Sequence, residues 1–173
     1  AWDAQQHWNV SRLGRDDGEV EWPLTGGLQQ AAQQRLEQLA GGSRRLLELT
    51  AVLGGKVEPA LLRHTSGWRK QHFRETVDDL LRRQLLVEAD DRLHLVHDTF
   101  QQVLYRGIPA ARRRGLHERA GETLERLAAE RVEELAHHFV LAQQSHRAMP
   151  YCLQAGQRSR QLYAFQPALA YYG

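Results

Sequence analysis

The chain has 173 residues, 42% of them hydrophobic and 25% charged, with a formal net charge of +2. This is a globular composition, not a disordered one, with room for one ordinary domain or two small ones. The near-neutral balance gives no field that would argue for nucleic acid or an anionic membrane as partner. A single cysteine, Cys152, excludes an internal disulfide framework and fits a reducing cytosol, so a cytoplasmic location is expected. No apolar run approaches the about 18 residues that a membrane helix requires, and "AWDAQQHW" lacks the basic and apolar regions of a signal peptide. The sequence opens without Met and stops at "ALAYYG" inside an apolar-rich pattern, so it is expected to be a piece of a longer chain.

Residues 1–24 read as a linker or lead-in. Turn and breaker residues dominate "LGRDDGEVEWPLTGG", with a hint of strand at Glu19 to Trp22 and packing expected through Trp22. Helical spacing then begins at Leu28, Ala31, Ala32, Leu36 and Leu39. "AGG" at 40–42 is expected to end that helix, and Ser43 to cap the next, "RRLLELTAVLG". "GGK" reads as a breaker, "VEPALLRHT" as a short helix, and "KQHFRETVDDLLRRQ" as a fourth helix burying Phe73, Val77, Leu80 and Leu81. The period then changes from helix to strand. "LLVEA" and "RLHLV" flank Asp90-Asp91 as a two-residue hairpin. Helices followed by a small hairpin are the order of a winged helix-turn-helix, with the hairpin as wing and 70–83 as the "recognition" helix.

Beyond the hairpin, "HDTFQQVLYRGI", "PAARRRGLHERAGETLERLAAE", "RVEELAHHFVLAQQ", "RAMPYCLQAGQRSRQLY" and "QPALAYY" read as successive amphipathic helices, with Pro109 at a helix start. The small residues Ala120, Ala136, Ala142, Ala155 and Ala168, beside Tyr151, Tyr163 and Tyr171, suggest close packing of the tetratricopeptide kind, without the full 34-residue signature. The fold class is therefore mainly α: a winged helix-turn-helix with a β-hairpin wing, then an antiparallel helical-repeat array. The expected divisions are 25–106 for the winged helix and 107–173 for the repeat region.

These segments together resemble the post-ATPase region of the STAND class of signal-transduction ATPases, especially MalT-like and LuxR-type bacterial regulators and related ATPase–cyclase fusions. The resemblance runs over about residues 24–173. It is carried by "RLEQLAGGSRRLLELTAVLGGKVEPALL", "LHLVHDTFQQVLY", "RRRGLHERAGETLE" and "EELAHHFVLAQQ". The family pattern is Phe-x-His-Asp, a Tyr, Arg-x-Leu-His, then Leu-Ala-x-His-aromatic. Here it is met by His97, Asp98, Tyr105, Arg114, Leu116, His117, Leu135, Ala136, His138 and Phe139, with Leu95 and Val96 where an aromatic usually precedes the His. The resemblance implies a non-catalytic regulatory segment that couples the nucleotide state of an upstream ATPase domain of the same chain to an effector ligand or protein on the repeats. It implies ATP or ADP as cofactor of the whole protein and none for this segment. In related NLR receptors a Met-His-Asp motif after the winged-helix hairpin contacts ADP phosphates, and Val96-His97-Asp98 is similar to it.

The sequence holds no glycine-rich phosphate loop ending in Gly-Lys-Ser or Gly-Lys-Thr, so no phosphate cradle lies within it. His97, with Asp98, is the candidate ADP-phosphate contact in the full-length protein. Within this chain alone, Asp98 reads as the N-cap of helix 99–106 and His97 as a half-buried packing residue. A DNA-binding winged helix is the alternative, with Arg69, Lys70 and Arg74 as phosphate or base contacts, but Glu75, Asp78 and Asp79 share that helix. A free-standing interaction scaffold is another. "ARRRG" at 111–115 reads as a solvated helix face or an interdomain salt-bridge patch. The nine histidines include Glu133–His137 and Glu134–His138 at i, i+4, read as helix-surface pairs, while His117 clusters with Glu118 and Glu122. His117 and His138 match family positions of interhelical packing or hydrogen bonding. "HERAG" lacks the second His of a zinc-hydrolase motif, so no metal ligands are assigned. Cys152 reads as a buried small hydrophobe.

Overall fold

The computed structural model describes residues 33–171, with side chains described to 160. The lead-in, Trp22 and the helix-face residues Leu28, Ala31 and Ala32 lie outside the described residues. The protein is mainly helical with one small antiparallel sheet. The described part of α1 covers 33–37. It is followed by α2 (Gly41–Val52), β1 (Lys56–Val57), α3 (Pro59–Ser66), α4 (Lys70–Arg82), β2 (Leu86–Ala89) and β3 (Arg92–Leu95). Four more helices complete the fold: α5 (Asp98–Gly107), α6 (Ala110–Leu127), α7 (Val132–Leu141) and α8 (Ser145–Tyr171).

Helix α2 is the central element and touches α3, α4, α5, α6 and the sheet. Leu46, Leu47, Leu49, Ala51 and Val52 are all buried, so apolar residues cover nearly its whole circumference, as expected of a helix enclosed on all sides. It begins earlier than the sequence suggests. Gly41 and Gly42 are helical, Ala40 is the N-cap, and Ser43 is a buried interior residue, not a cap. The break expected at 40–42 falls instead at 38–40.

Glycine does shape the other end of α2. Gly54 and Gly55 take φ of 96° and 80°, a region open chiefly to glycine. They turn the chain into β1, a strand that the reading of "GGK" as a breaker does not anticipate. β1 pairs with β3, Lys56 opposite His94, and Gly55 extends the ladder by accepting a bond from the Leu95 amide at 2.8 Å. The hairpin is as expected. β2 and β3 pair with Leu86 opposite Leu95, and Asp90 and Asp91 form its turn with φ of 53° and 57°. Both positive φ values match the right-handed twist of the flanking strands. The sheet order is β1-β3-β2.

α3 starts with Pro59 at its first position, where the missing N–H costs nothing, and ends on Gly67 at φ 70°. α4 buries Phe73, Thr76, Val77 and Leu80, close to the predicted face, while Leu81 is only partly buried. Downstream, α6 starts after Pro109, and "RAMPYCLQAGQRSRQLY" and "QPALAYY" form one helix, α8, not two.

Contacts place α6, α7 and α8 antiparallel in sequence. Along α6 and α7, Arg114 meets Gln143 and His117 meets His138. Along α7 and α8, Phe139 stacks on Tyr151 and Glu133 pairs with Arg158. Ala120, Ala136, Ala142 and Ala155 are buried where these helices meet. The closest approach is at Gly121: a Cβ there would lie 2.8 Å from the Phe139 ring, and that ring is fully buried with nowhere to move. Arg147 reaches back from α8 to Glu122 at 3.1 Å and over the face of Phe139.

Gly121→Ala is therefore expected to destabilise the protein by about 1–3 kcal/mol through overpacking, even though alanine is the better helix former. Gly115→Ala, six residues earlier on the same helix with open space around it, is expected to stabilise by about 0.5–1 kcal/mol. Urea unfolding of both variants checks this, and a gain for Gly121→Ala would contradict the close-packing account.

Candidate functional site: a histidine–tyrosine cluster between helices

The sequence-predicted sites lie on the surface. His97 is exposed and is itself the N-cap of α5, with extended backbone (φ −144°, ψ 141°) and no side-chain capping bond. Its carbonyl accepts the amides of Phe100 and Gln101 at 3.0 and 3.1 Å. Asp98 is the first helical residue, one position later than the cap role assigned to it, and its exposed carboxylate complements the positive end of the helix. Neither the capping role of Asp98 nor the packing role of His97 is what the structure shows. The two side chains stand together at the exit of the hairpin, facing outward.

Arg69, Lys70 and Arg74 are all exposed at the start of α4, Arg69 as its N-cap. Acidic groups interrupt that face: Gln71 donates to Glu75 at 3.0 Å, and Arg83 pairs with Asp79 at 2.8 Å. The "ARRRG" cluster is more engaged than a solvated face. Arg112 pairs with the buried Glu48 of α2 at 2.7 Å, and Arg44 reaches the other carboxylate oxygen at 3.2 Å. Arg113 lies over the Tyr105 ring, and Arg114 bonds Gln143. Cys152 is half-buried against the core, and burial pushes its thiol pKa up.

The densest polar arrangement lies inside. Three helices meet where α5 supplies Tyr105, α6 supplies His117, and α7 supplies His137 and His138. His117 and His138 are each 1% exposed, so their hydrogen bonds must be met within the protein. The two Nδ1 atoms lie 2.9 Å apart, and the Tyr105 hydroxyl lies 2.9 Å from His117 Nε2. The ring of His137 stands edge-on to both other imidazoles. A neutral imidazole carries one N–H, so this chain of bonds has two consistent settings. Either Tyr105 donates to His117 Nε2 and His117 Nδ1–H donates to His138, or His138 Nδ1–H donates to His117 and His117 Nε2–H donates to Tyr105.

Burial holds these rings in the neutral form. Desolvation lowers His138 from 6.5 to about 4. His117 is pushed further down, first by burial and then by the charges that His138, His137 and Arg113 would present. His137 is lowered by burial and by His138.

Two sequence expectations change here. His138 is not half of a surface pair with Glu134: it is buried, and Glu134 faces Arg131 at 3.8 Å. Nor does His117 cluster with Glu118 and Glu122, which bond Gln144 and Arg147. His117 and His138, expected to pack or hydrogen-bond between helices, do bond across the helix interface. What the sequence reading missed is the convergence of His137 and Tyr105 on that pair. A usable signal is the His-His step flanked by Leu135-Ala136 and Phe139-Val140, an apolar stretch where a surface histidine would be alone.

No family model, curated protein or solved structure matches this chain.

The depressed basicities set a pH dependence. Each imidazole binds its proton more weakly folded than unfolded, where its pKa is about 6.5. Below that pH the unfolded chain takes up protons that the folded chain refuses, so stability is flat above about pH 7 and falls as the pH drops. The slope is up to about 1.4 kcal/mol per pH unit for each histidine involved. Glu134, whose pKa burial raises, works in the opposite sense nearer the carboxylate range, so the informative window is pH 6.5 to about 5. Urea unfolding across that window, with a chelator present, is expected to show the fall in the native chain and a shallower one in His137→Gln. Equal slopes would mean that these rings do not titrate as described.

Proposed function

We propose that this chain is a regulatory, non-catalytic interdomain segment of a bacterial STAND-type ATPase regulator. In this reading residues 25–106 are a winged helix and 107–173 are the first tetratricopeptide-like helices. The upstream ATPase domain, with its ATP or ADP, is the intramolecular partner in the cytoplasm, and the helical array receives an effector ligand or protein. The order of helices followed by the two-residue hairpin supports the winged-helix assignment.

The observation that carries the proposal is the outward pose of His97 and Asp98 at the hairpin exit. A histidine with no packing role, fixed at a helix start by its backbone, is available to another domain. An imidazole N–H there can donate to a phosphate oxygen. The array also offers a surface: Met149 and Leu153, one turn apart on α8, are 62% and 64% exposed. Between the two regions, Arg119 of α6 donates to the carbonyls of Thr65 and Ser66 at the end of α3 at 2.8 and 3.0 Å, and Arg112 pairs with Glu48. Such ties transmit movement from one region to the other. A ligand on the array shifts the nucleotide state only to the extent that it binds the two states differently.

In the full-length regulator, His97→Ala is expected to weaken ADP binding about 10-fold or more, the loss of one charge-assisted hydrogen bond, and to raise basal activity. Unchanged ADP affinity and basal activity would refute the phosphate contact. DNA binding through Arg69, Lys70 and Arg74 is the second reading. The segment is expected not to shift a random duplex at low salt, where even non-specific phosphate contacts hold, and a shift abolished by Arg74→Glu would favour DNA instead.

A further inference from the structure

We propose that His117, His137 and His138 form a binding site for a divalent transition-metal ion of the zinc class, with Tyr105 orienting His117 from behind. This goes beyond the regulatory reading and does not depend on it.

Geometry is the first support. One ring nitrogen from each histidine lies within 4.8 Å of the others. The ring centres form a near-regular triangle, with sides of 5.1, 5.3 and 5.8 Å. Three imidazoles that share a tetrahedral ion at Zn–N about 2.1 Å hold their ring centres roughly 5 Å apart. The His117 and His138 Nδ1 atoms, at 2.9 Å, need to separate by about half an ångström to straddle such an ion, within reach of small side-chain rotations.

The chemistry of the donors is the second support. Imidazole suits zinc, copper and nickel, and the ligating form is the neutral one. Three protein nitrogens leave a fourth position for water, the arrangement of an open site. His137 is partly exposed while the other two are buried, so the cluster has a solvent side. Coordination through both Nδ1 atoms selects one of the two hydrogen-bond settings. His117 must carry its proton on Nε2 and donate to Tyr105, and His138 must move its proton from Nδ1 to Nε2. No net proton is released from these two rings. In that setting the Tyr105 hydroxyl accepts from His117 Nε2–H and orients its ring, the usual part of an outer-shell partner. Arg113, over the Tyr105 ring, is a positive charge near the site and limits its affinity.

An ion there would join α6 to α7 and, through Tyr105, to α5. The ion then binds the folded form and not the unfolded one, so it raises stability by mass action. The test uses the chelator-treated chain. Cobalt(II) titration is expected to give the visible absorption bands of a tetrahedral nitrogen site, and zinc to raise the unfolding midpoint. His137→Ala is expected to weaken cobalt binding at least about 10-fold, since loss of an orienting group alone costs 10–100-fold. His146→Ala, an exposed histidine outside the cluster, is expected to leave it unchanged. Should His137→Ala lose its helical circular dichroism, Tyr105→Phe decides, with an expected weakening of about 10-fold. Absent bands with no midpoint shift would overturn the site, as would binding that survives His137→Ala or, in its place, Tyr105→Phe.

Discussion

The contact on which the second half of the molecule depends is the absence of a side chain at Gly121. The Phe139 ring occupies the space where a Cβ would stand, and this sets how near α6 comes to α7. One turn away along α6, the same short separation brings His117 against His138. With a larger residue at 121 the helices would part, and two buried imidazoles would lose the bond between their Nδ1 atoms. Leaving such groups unpaired costs on the order of 1–3 kcal/mol each. Shape at one position thus decides polar chemistry at another.

The first half depends on charge as well as on packing. α2 is enclosed by apolar neighbours, yet it carries Glu48 at 4% exposure. An isolated carboxylate would be very costly there. Arg44 from the same helix and Arg112 from α6 supply the compensation, so the array is bound to the helix at the centre of the sheet-bearing region. Gln101 adds a neutral tie, donating from α5 to the Ala51 carbonyl at the C-terminal end of α2. These polar links explain why basic residues at 112 and 119 matter in a chain whose net charge is near zero.

Much of this architecture is legible in the sequence because it rests on local rules. The spacing of Phe73, Val77 and Leu80 gives α4, and Asp90-Asp91 between alternating strands gives the hairpin. What is not legible depends on partners distant in the chain. β1 is two residues long and exists because β3 pairs with it, which no local window reveals. Gly41 and Gly42 look like breakers, but they form the first turn of a helix whose later turns are buried in the core, and that packing overrides the propensity cost. His97 looks like a core residue because it follows an alternating strand, although the alternation ends one residue earlier. The histidine cluster needs three helices to meet, so pair spacing within α7 pointed to the surface carboxylates instead. Among the site residues, the motif positions His117 and His138 were readable as interhelical, and their company was not.

Glu58 shows what these ties mean for motion. It is the residue before α3, and its carboxylate is shared by Arg92 on β3, at 3.5 Å, and by Arg131 at the start of α7. Two like charges, one from the sheet and one from the array, are held beside each other by a single anion. Separating sheet from array would leave one arginine without the carboxylate, and bringing them together without Glu58 would set guanidinium against guanidinium. The hold of this shared carboxylate on the two elements weakens as ionic strength rises.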